Sequence, residues 1–159
     1  MKFGLVFAHQ LPPGCGIPWH EPYQDMLACL PRAEDLGYDS AFQVSHHAQK
    51  DGLCPGPLVA CAGAAAVTKT MRIGTGVLLV SLYAPLKLAE DIAVLDNLSG
   101  GRFVFGVAPG YLAKEFAAHG IPREERVGRF EEALDLMVRA WTQDWFEFDG
   151  KYYKVPRAK

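Results

Sequence analysis

The sequence lacks any run of about 20 apolar residues of the kind that crosses a bilayer, and it has no excess of either charge: 16 Lys and Arg against 18 Asp and Glu leave a net charge of -2. The first absence removes a transmembrane helix from the expected architecture, and the second removes the basic field that nucleic acid requires. No membrane and no nucleic-acid partner is therefore expected. Cysteine is scarce. Cys15, Cys29, Cys54 and Cys61 have no paired metal-ligand spacing, and three of them sit among apolar or small residues, so free thiols and no metal site are expected. A leader-like pattern is also missing, because Lys2 runs directly into a strand-like segment and then a Pro/Gly-rich loop; the expected location is cytoplasmic. What is present is ordinary for a globular chain, with 50% hydrophobic and 21% charged residues over 159 positions, and residues 1–159 are read as a single domain.

The stretch Met71 to Val80 organises the rest. Its Ile, Val and Leu content without polar alternation suits a parallel strand buried on both faces, yet Gly74 and Gly76 interrupt it. Glycine inside a strand marks a bulge or a close approach by a ligand or backbone, which makes Gly76 a candidate site residue. Lys2 to Ala8 predicts a first strand, followed by a long loop, His9 to His20, rich in proline and glycine. A connection of that size is more often a binding loop than a plain link. A helix is predicted from Pro22 to Leu36, kinked at Pro31 and stopped at Gly37. Asp39 to Val44 predicts a second strand ending at Ser45-His46-His47.

An alanine-rich helix, Leu58 to Thr70, precedes the organising strand, and its small side chains suit close packing on a sheet. Pro85 to Leu98 predicts a helix stopped by Ser99-Gly100-Gly101, and Arg102 to Val107 a fourth strand. A short helix, Leu112 to His119, leads to a long one, Glu124 to Trp141, with an expected buried stripe of Val127, Phe130, Leu134, Val138 and Trp141. The chain closes near 145–155 with an expected β-hairpin turning through Asp149-Gly150 in a type I′ turn.

Alternating strands and helices mean βα units and a parallel sheet. A doubly wound dinucleotide-binding fold wants G-x-G-x-x-G in its first βα turn, but Gly14-Cys15-Gly16-Ile17-Pro18-Trp19 lacks the third glycine. A (β/α)8 TIM barrel places its site on loops after the C-terminal ends of the strands. His9, His46, His47 and Pro109-Gly110 all follow strands, and Gly76 lies toward the end of one.

With those positions set out, the chain resembles the bacterial-luciferase-like flavin-dependent monooxygenases. The resemblance rests on Met1-Lys2-Phe3-Gly4, Ala33-Glu34-Asp35-Leu36-Gly37-Tyr38-Asp39-Ser40, the His46-His47 pair, Arg72-Ile73-Gly74-Thr75-Gly76-Val77 and Ala89-Glu90-Asp91. It continues through Leu95-Asp96, Leu98-Ser99-Gly100-Gly101-Arg102, Gly106-Val107-Ala108-Pro109-Gly110 and the closing aromatic hairpin. The order and spacing of these pieces carry it, more than any one of them.

The resemblance implies an α/β (β/α)8 TIM-barrel fold, of which about the first four βα units are present. It implies oxygenation of a small-molecule substrate with reduced FMN and O2, the FMN being supplied by a flavin reductase. Gly76 and Val77 would form a non-prolyl cis peptide beside the flavin ring, with Ala108, Pro109, Gly110 and Tyr111 also at the cofactor. His46 aligns with the family's catalytic histidine, and imidazole titrates near pH 6.5, as proton transfer near neutrality requires. Phe7, His9, Ser45 and His47 are assigned to the substrate pocket. Ser45 and Pro109 stand where luciferase itself carries an acidic residue and an arginine. Asp96 and Arg102, at the N-terminal end of strand four, read as structural. Hydride transfer with the deazaflavin F420 and a non-catalytic truncated subunit are the alternative functions. Half a barrel would leave strand edges open, so a homo-oligomer is expected.

Overall fold

The computed structural model describes residues 1–159. In chain order the elements are β1 (Gly4–Phe7), α1 (Glu21–Asp35), β2 (Ser40–Gln43), α2 (Pro57–Val67), β3 (Arg72–Thr75), β4 (Leu78–Leu79) and α3 (Pro85–Ser99). β5 (Phe103–Val104), β6 (Val107–Ala108), α4 (Ala113–Ala118), α5 (Arg126–Thr142), β7 (Phe146–Asp149) and β8 (Lys154–Ala158) follow, with short 3-10 turns at Val80–Leu82 and Arg123–Glu125. They pack as two compact units, Met1–Leu78 with Val94–Val107, and Leu79–Ala93 with Ala108–Lys159.

The first unit is built on a four-stranded sheet in the order β1-β2-β3-β5, with every pair parallel. Register places Phe7 beside Gln43 and Gln43 beside Thr75. One face is covered by α1 and α2: Met26, Leu30 and Ala33 meet Ala60, Cys61, Ala64 and Ala65 over Ala41 and Ile73. The alanines and Cys61 let α2 lie close to the strands, as the sequence predicts, because their side chains are short.

Two polar clasps secure the N-terminal ends of these strands. The Glu34 carboxylate accepts backbone N–H bonds from Lys69, Thr70 and Met71 at 2.6 to 3.1 Å and the Thr70 hydroxyl at 2.9 Å. Burial alone would push its pKa up, but those hydrogen bonds outweigh it and take the value down to about 2. Arg102 donates to the carbonyls of Ser99, Met71, Ala65 and Thr68 and to the Thr68 hydroxyl, at 2.6 to 3.1 Å. The guanidinium fork thus gathers the end of α2, the start of β3 and the turn after α3, which is the structural role expected of it.

Four local expectations need correction. The run from Met71 to Val80 is not one strand: it breaks at Gly76-Val77, whose peptide is cis, and gives way to a 3-10 turn at Val80. The run from Arg102 to Val107 also divides, into β5 and β6. Gly106 lies so close to Thr75 that the Thr75 hydroxyl donates to its carbonyl at 2.8 Å and Leu78 N–H bonds the same oxygen at 2.8 Å.

In the second unit α5 buries Ala133, Leu136 and Met137, while Val127, Val138 and Trp141 of the expected stripe are exposed. The reason is the hairpin: Phe146 and Phe148 pack on Leu136 with Ala140 and Leu86 beside them, and that packing selects the neighbouring face. The hairpin itself does not turn through Asp149-Gly150. Asp149 pairs with Lys154, leaving Gly150 to Tyr153 as the loop, and neither Asp149 nor Gly150 has the positive φ a type I′ turn needs. The Glu132 carboxylate accepts N–H bonds from Lys151, Tyr152 and Tyr153 and holds the wider loop to α5.

Candidate functional site

The C-terminal ends of β1, β2 and β3 carry most of the residues singled out in the sequence. Beyond them the loops after β1 and β2 are tied to each other. Gln10 and Gly52 form an antiparallel bridge, Leu11 N–H donates to Asp51 O at 2.9 Å, and Gln10 Nε2 donates to Asp51 Oδ2 at 2.6 Å. Gly52 is held against the Trp19 ring, where a Cβ would lie 3.2 Å from Cη2. The long loop is therefore ordered by its neighbour and is more than a connector.

Four non-glycine residues in these two loops have left-handed backbone: His9 at φ 51°, Ala48 at 51°, Leu53 at 53° and Cys54 at 49°. Such conformations are uncommon outside glycine and gather where surrounding structure fixes a functional geometry. Here the anchors are visible. His9 is 6% exposed and stacks on Tyr23 with centroids 4.3 Å apart, and its Nε2 lies 2.7 Å from Gln43 Oε1. Cys54 is fully buried, beside the Tyr23 hydroxyl.

Burial pushes the Cys54 thiol up and the Cys61 thiol to about 12, so neither is a thiolate near neutrality. All four cysteines are free thiols, and no group of three or more His, Cys, Asp or Glu is arranged to hold a metal.

Phe7 packs with the apolar layer under α1 and α2, and His9 stacks beside it. Ser45 and His47 are buried and bonded to each other, Oγ to Nε2 at 3.2 Å. His46 is half-buried, with its backbone N–H on Leu53 O at 2.9 Å. Of the adjacent histidines, His46 is the more open. Gly76 and Val77 are exposed, and the Gly76 N–H bonds Gln43 O at 2.7 Å. Gly74 beneath them is glycine for a steric reason, since a Cβ would come within 2.6 Å of both the Phe42 ring and the Val104 carbonyl.

In the second unit Ala108 and Pro109 are half-buried, Gly110 turns with φ 80°, and Tyr111 is exposed. A Cβ on Gly110 would meet the Phe116 ring at 3.2 Å, so glycine is fixed there by both backbone and space. Arg123 Nε donates to Tyr111 O at 2.9 Å and steadies the loop.

Sequence reasoning did not find Gln43 or Tyr23. The one available signal for Gln43 is a glutamine between Phe42 and Val44 near the end of a strand. Tyr23 looked like an ordinary first-turn helical residue.

The profile of the luciferase-like monooxygenases matches residues 1–159. The chain belongs to that family. The alkanal monooxygenase alpha chain of Photobacterium phosphoreum is 34% identical over 157 residues, 98% of this chain and 43% of its own length. The monooxygenase RslO1 of Streptomyces bottropensis superposes with a TM-score of 0.89 at 31% identity, over 98% of this chain and 47% of its own. The oxygenating constituent of 3,6-diketocamphane monooxygenase from Pseudomonas putida, a Baeyer-Villiger enzyme solved with FMN, gives 0.89 at 26% identity, over 98% and 43%. The chain thus spans less than half the length of the relatives it matches, and its parallel α/β sheet corresponds to part of a TIM barrel.

Proposed function

We propose that residues 1–159 are the N-terminal half of a flavin-dependent monooxygenase barrel that uses reduced FMN and O2 to oxygenate a small organic substrate, with a flavin reductase as the source of FMN. The observation that carries this reading is the half-buried His46 at the strand ends, on the stretch whose Gln43 carbonyl bonds Gly76, in a chain matched throughout by the monooxygenase profile.

The residues suit the group. Gly76 offers an exposed backbone free of any side chain, against which a flat ring can lie, and Val77 beside it is exposed. Gly76, Val77, Ala108, Pro109, Gly110 and Tyr111 are assigned to the cofactor. His46 is assigned as the catalytic residue beside the flavin, and Phe7, His9, Ser45 and His47 are assigned to the substrate pocket.

Bound reduced FMN would supply the electrons that activate O2, as flavins do in oxygenases. The chain's own work is binding, orientation and proton handling. His46 is the group assigned to hold or move a proton, because imidazole nitrogens can both donate and accept one. Ser45 restrains His47 in one orientation.

The test is to titrate the 159-residue chain with FMN by fluorescence quenching and to measure O2 uptake and product with a flavin reductase and panels of aldehydes and ketones, alongside a full-length protein that contains residues 1–159. Half a barrel should bind FMN weakly and should not turn over, whereas the full-length protein should show substrate-dependent oxygenation that falls roughly 100-fold in His46→Gln, with FMN binding retained. Substrate-dependent oxygenation by a monomer of the 159-residue chain would overturn the half-barrel reading. Turnover of the full-length protein with F420 and no O2 consumption would replace oxygenation with hydride transfer, and a full-length protein that binds neither cofactor would overturn both.

A further inference from the structure

β2 ends in a fully buried glutamine, an unusual choice for a strand covered by helices. Gln43 Oε1 lies 2.7 Å from His9 Nε2, and its Nε2 donates to Met26 Sδ at 3.2 Å. With Oε1 as acceptor, His9 must carry its proton on Nε2. The His9 ring stacks with Tyr23, centroids 4.3 Å apart, and with Phe7 at 6.0 Å.

The backbone of the same residue is a junction. Gln43 sits in register with Phe7 and Thr75, its carbonyl accepts the Gly76 N–H at 2.7 Å, and the next residue, Val44, donates to Phe7 O at 3.1 Å. Residue 43 therefore touches the ends of β1 and β3 and, through Met26, helix α1. Ser45, His46 and His47 follow directly.

A buried polar pair of this kind contributes little net stability over apolar residues of the same shape. What it adds is a unique arrangement, because a half-satisfied pair is penalised in every other one. A one-residue slip of β2 against β1 would turn each side chain to the opposite face. It would take Gln43 away from His9 and exchange the surroundings of His46 and His47.

We propose that His9 and Gln43 are positioning residues: their buried hydrogen bond fixes the register of β1 and β2 at the rim and thereby presents His46, while His47 stays with Ser45. The importance of that presentation rests on the role given to His46 above. The presentation itself belongs to the chain without cofactor.

The experiment is limited carbethoxylation of the 159-residue chain with diethyl pyrocarbonate, with initial rates at His46 and His47 read by peptide mass spectrometry. His46 should react roughly tenfold faster than the buried His47, whose modification requires local opening. In the double variant His9→Phe/Gln43→Leu, which fills the space without the hydrogen bond, the preference for His46 should be lost. Gln43→Glu, which keeps an acceptor facing His9 Nε2, should retain it.

A double variant that melts cooperatively and keeps the parent ratio overturns the proposal, as does a parent chain with no preference or a Gln43→Glu chain that loses it. Should the double variant not fold, His9→Phe alone decides. That change keeps a ring on Tyr23, so an unchanged ratio overturns the proposal and a lost one supports it. No flavin enters the measurement, so failure of the monooxygenase reading and failure of this inference are separate results.

Discussion

The Thr75 hydroxyl donates to the Gly106 carbonyl at 2.8 Å, and the Thr75 carbonyl lies against Gly106 Cα so closely that a Cβ there would fall far inside van der Waals contact. Two sequence-distant positions thereby hold the ends of β3 and β5 together where both strands break. Gly106→Ala should destabilise the first unit by about 2 kcal/mol, because the backbone must move to admit the methyl group. Thr75→Val, which removes only the hydrogen bond, should cost about 1 kcal/mol. Urea denaturation of the two variants checks the order, and equal losses would show that contact distance is not what matters at Gly106.

Arg102 makes five hydrogen bonds from one fork. Arg102→Lys keeps the charge but cannot reproduce that planar geometry. A loss of about 3 kcal/mol is expected, since several carbonyls lose a charged donor together. A melting temperature within a degree of the parent would contradict the clasp.

Glu34 gives the chain an acid-sensitive joint. Its folded pKa of about 2 lies below the ordinary 4.5, so its contribution to stability is fully present above pH 4.5 and is lost as pH falls through about 2. Glu34→Gln should cost about 2 kcal/mol at neutral pH and progressively less below pH 4.5. Stability curves for parent and variant should converge near pH 2. Parallel curves across that range would remove Glu34 as the cause.

β1 and β5 are the outer strands of the sheet in the first unit, and each has one edge without a strand partner. Open edges of parallel strands recruit other chains, and on β1 the side chain of Val6, on the sheet face away from α1 and α2, is 68% exposed. The 159-residue chain should therefore self-associate, and light scattering should give a dimer or larger species. A monomer at micromolar concentration would show that the edges are tolerated as they stand.

Much of this was legible in the sequence because it is local. The strand and helix order follows from apolar runs and helical spacing. The stops at Gly37 and at Gly100-Gly101 follow from residues that accept positive φ, and all three adopt it. The family follows from motifs in sequence order, and the same motifs led to the cis peptide at Gly76-Val77.

What the tertiary structure decided depends on partners far away in the chain. The face α5 buries was set by Phe146 and Phe148, so a stripe with good helical spacing through Val127, Val138 and Trp141 remained exposed. The width of the hairpin loop was set by Glu132, a residue of α5. His9, with the chemistry of a pocket residue, was drawn beneath Tyr23 by a glutamine 34 positions away. Spacing along the chain fixes which residues share a face, but it carries no information about which face meets a neighbour. That is settled by the free energy of packing the elements together.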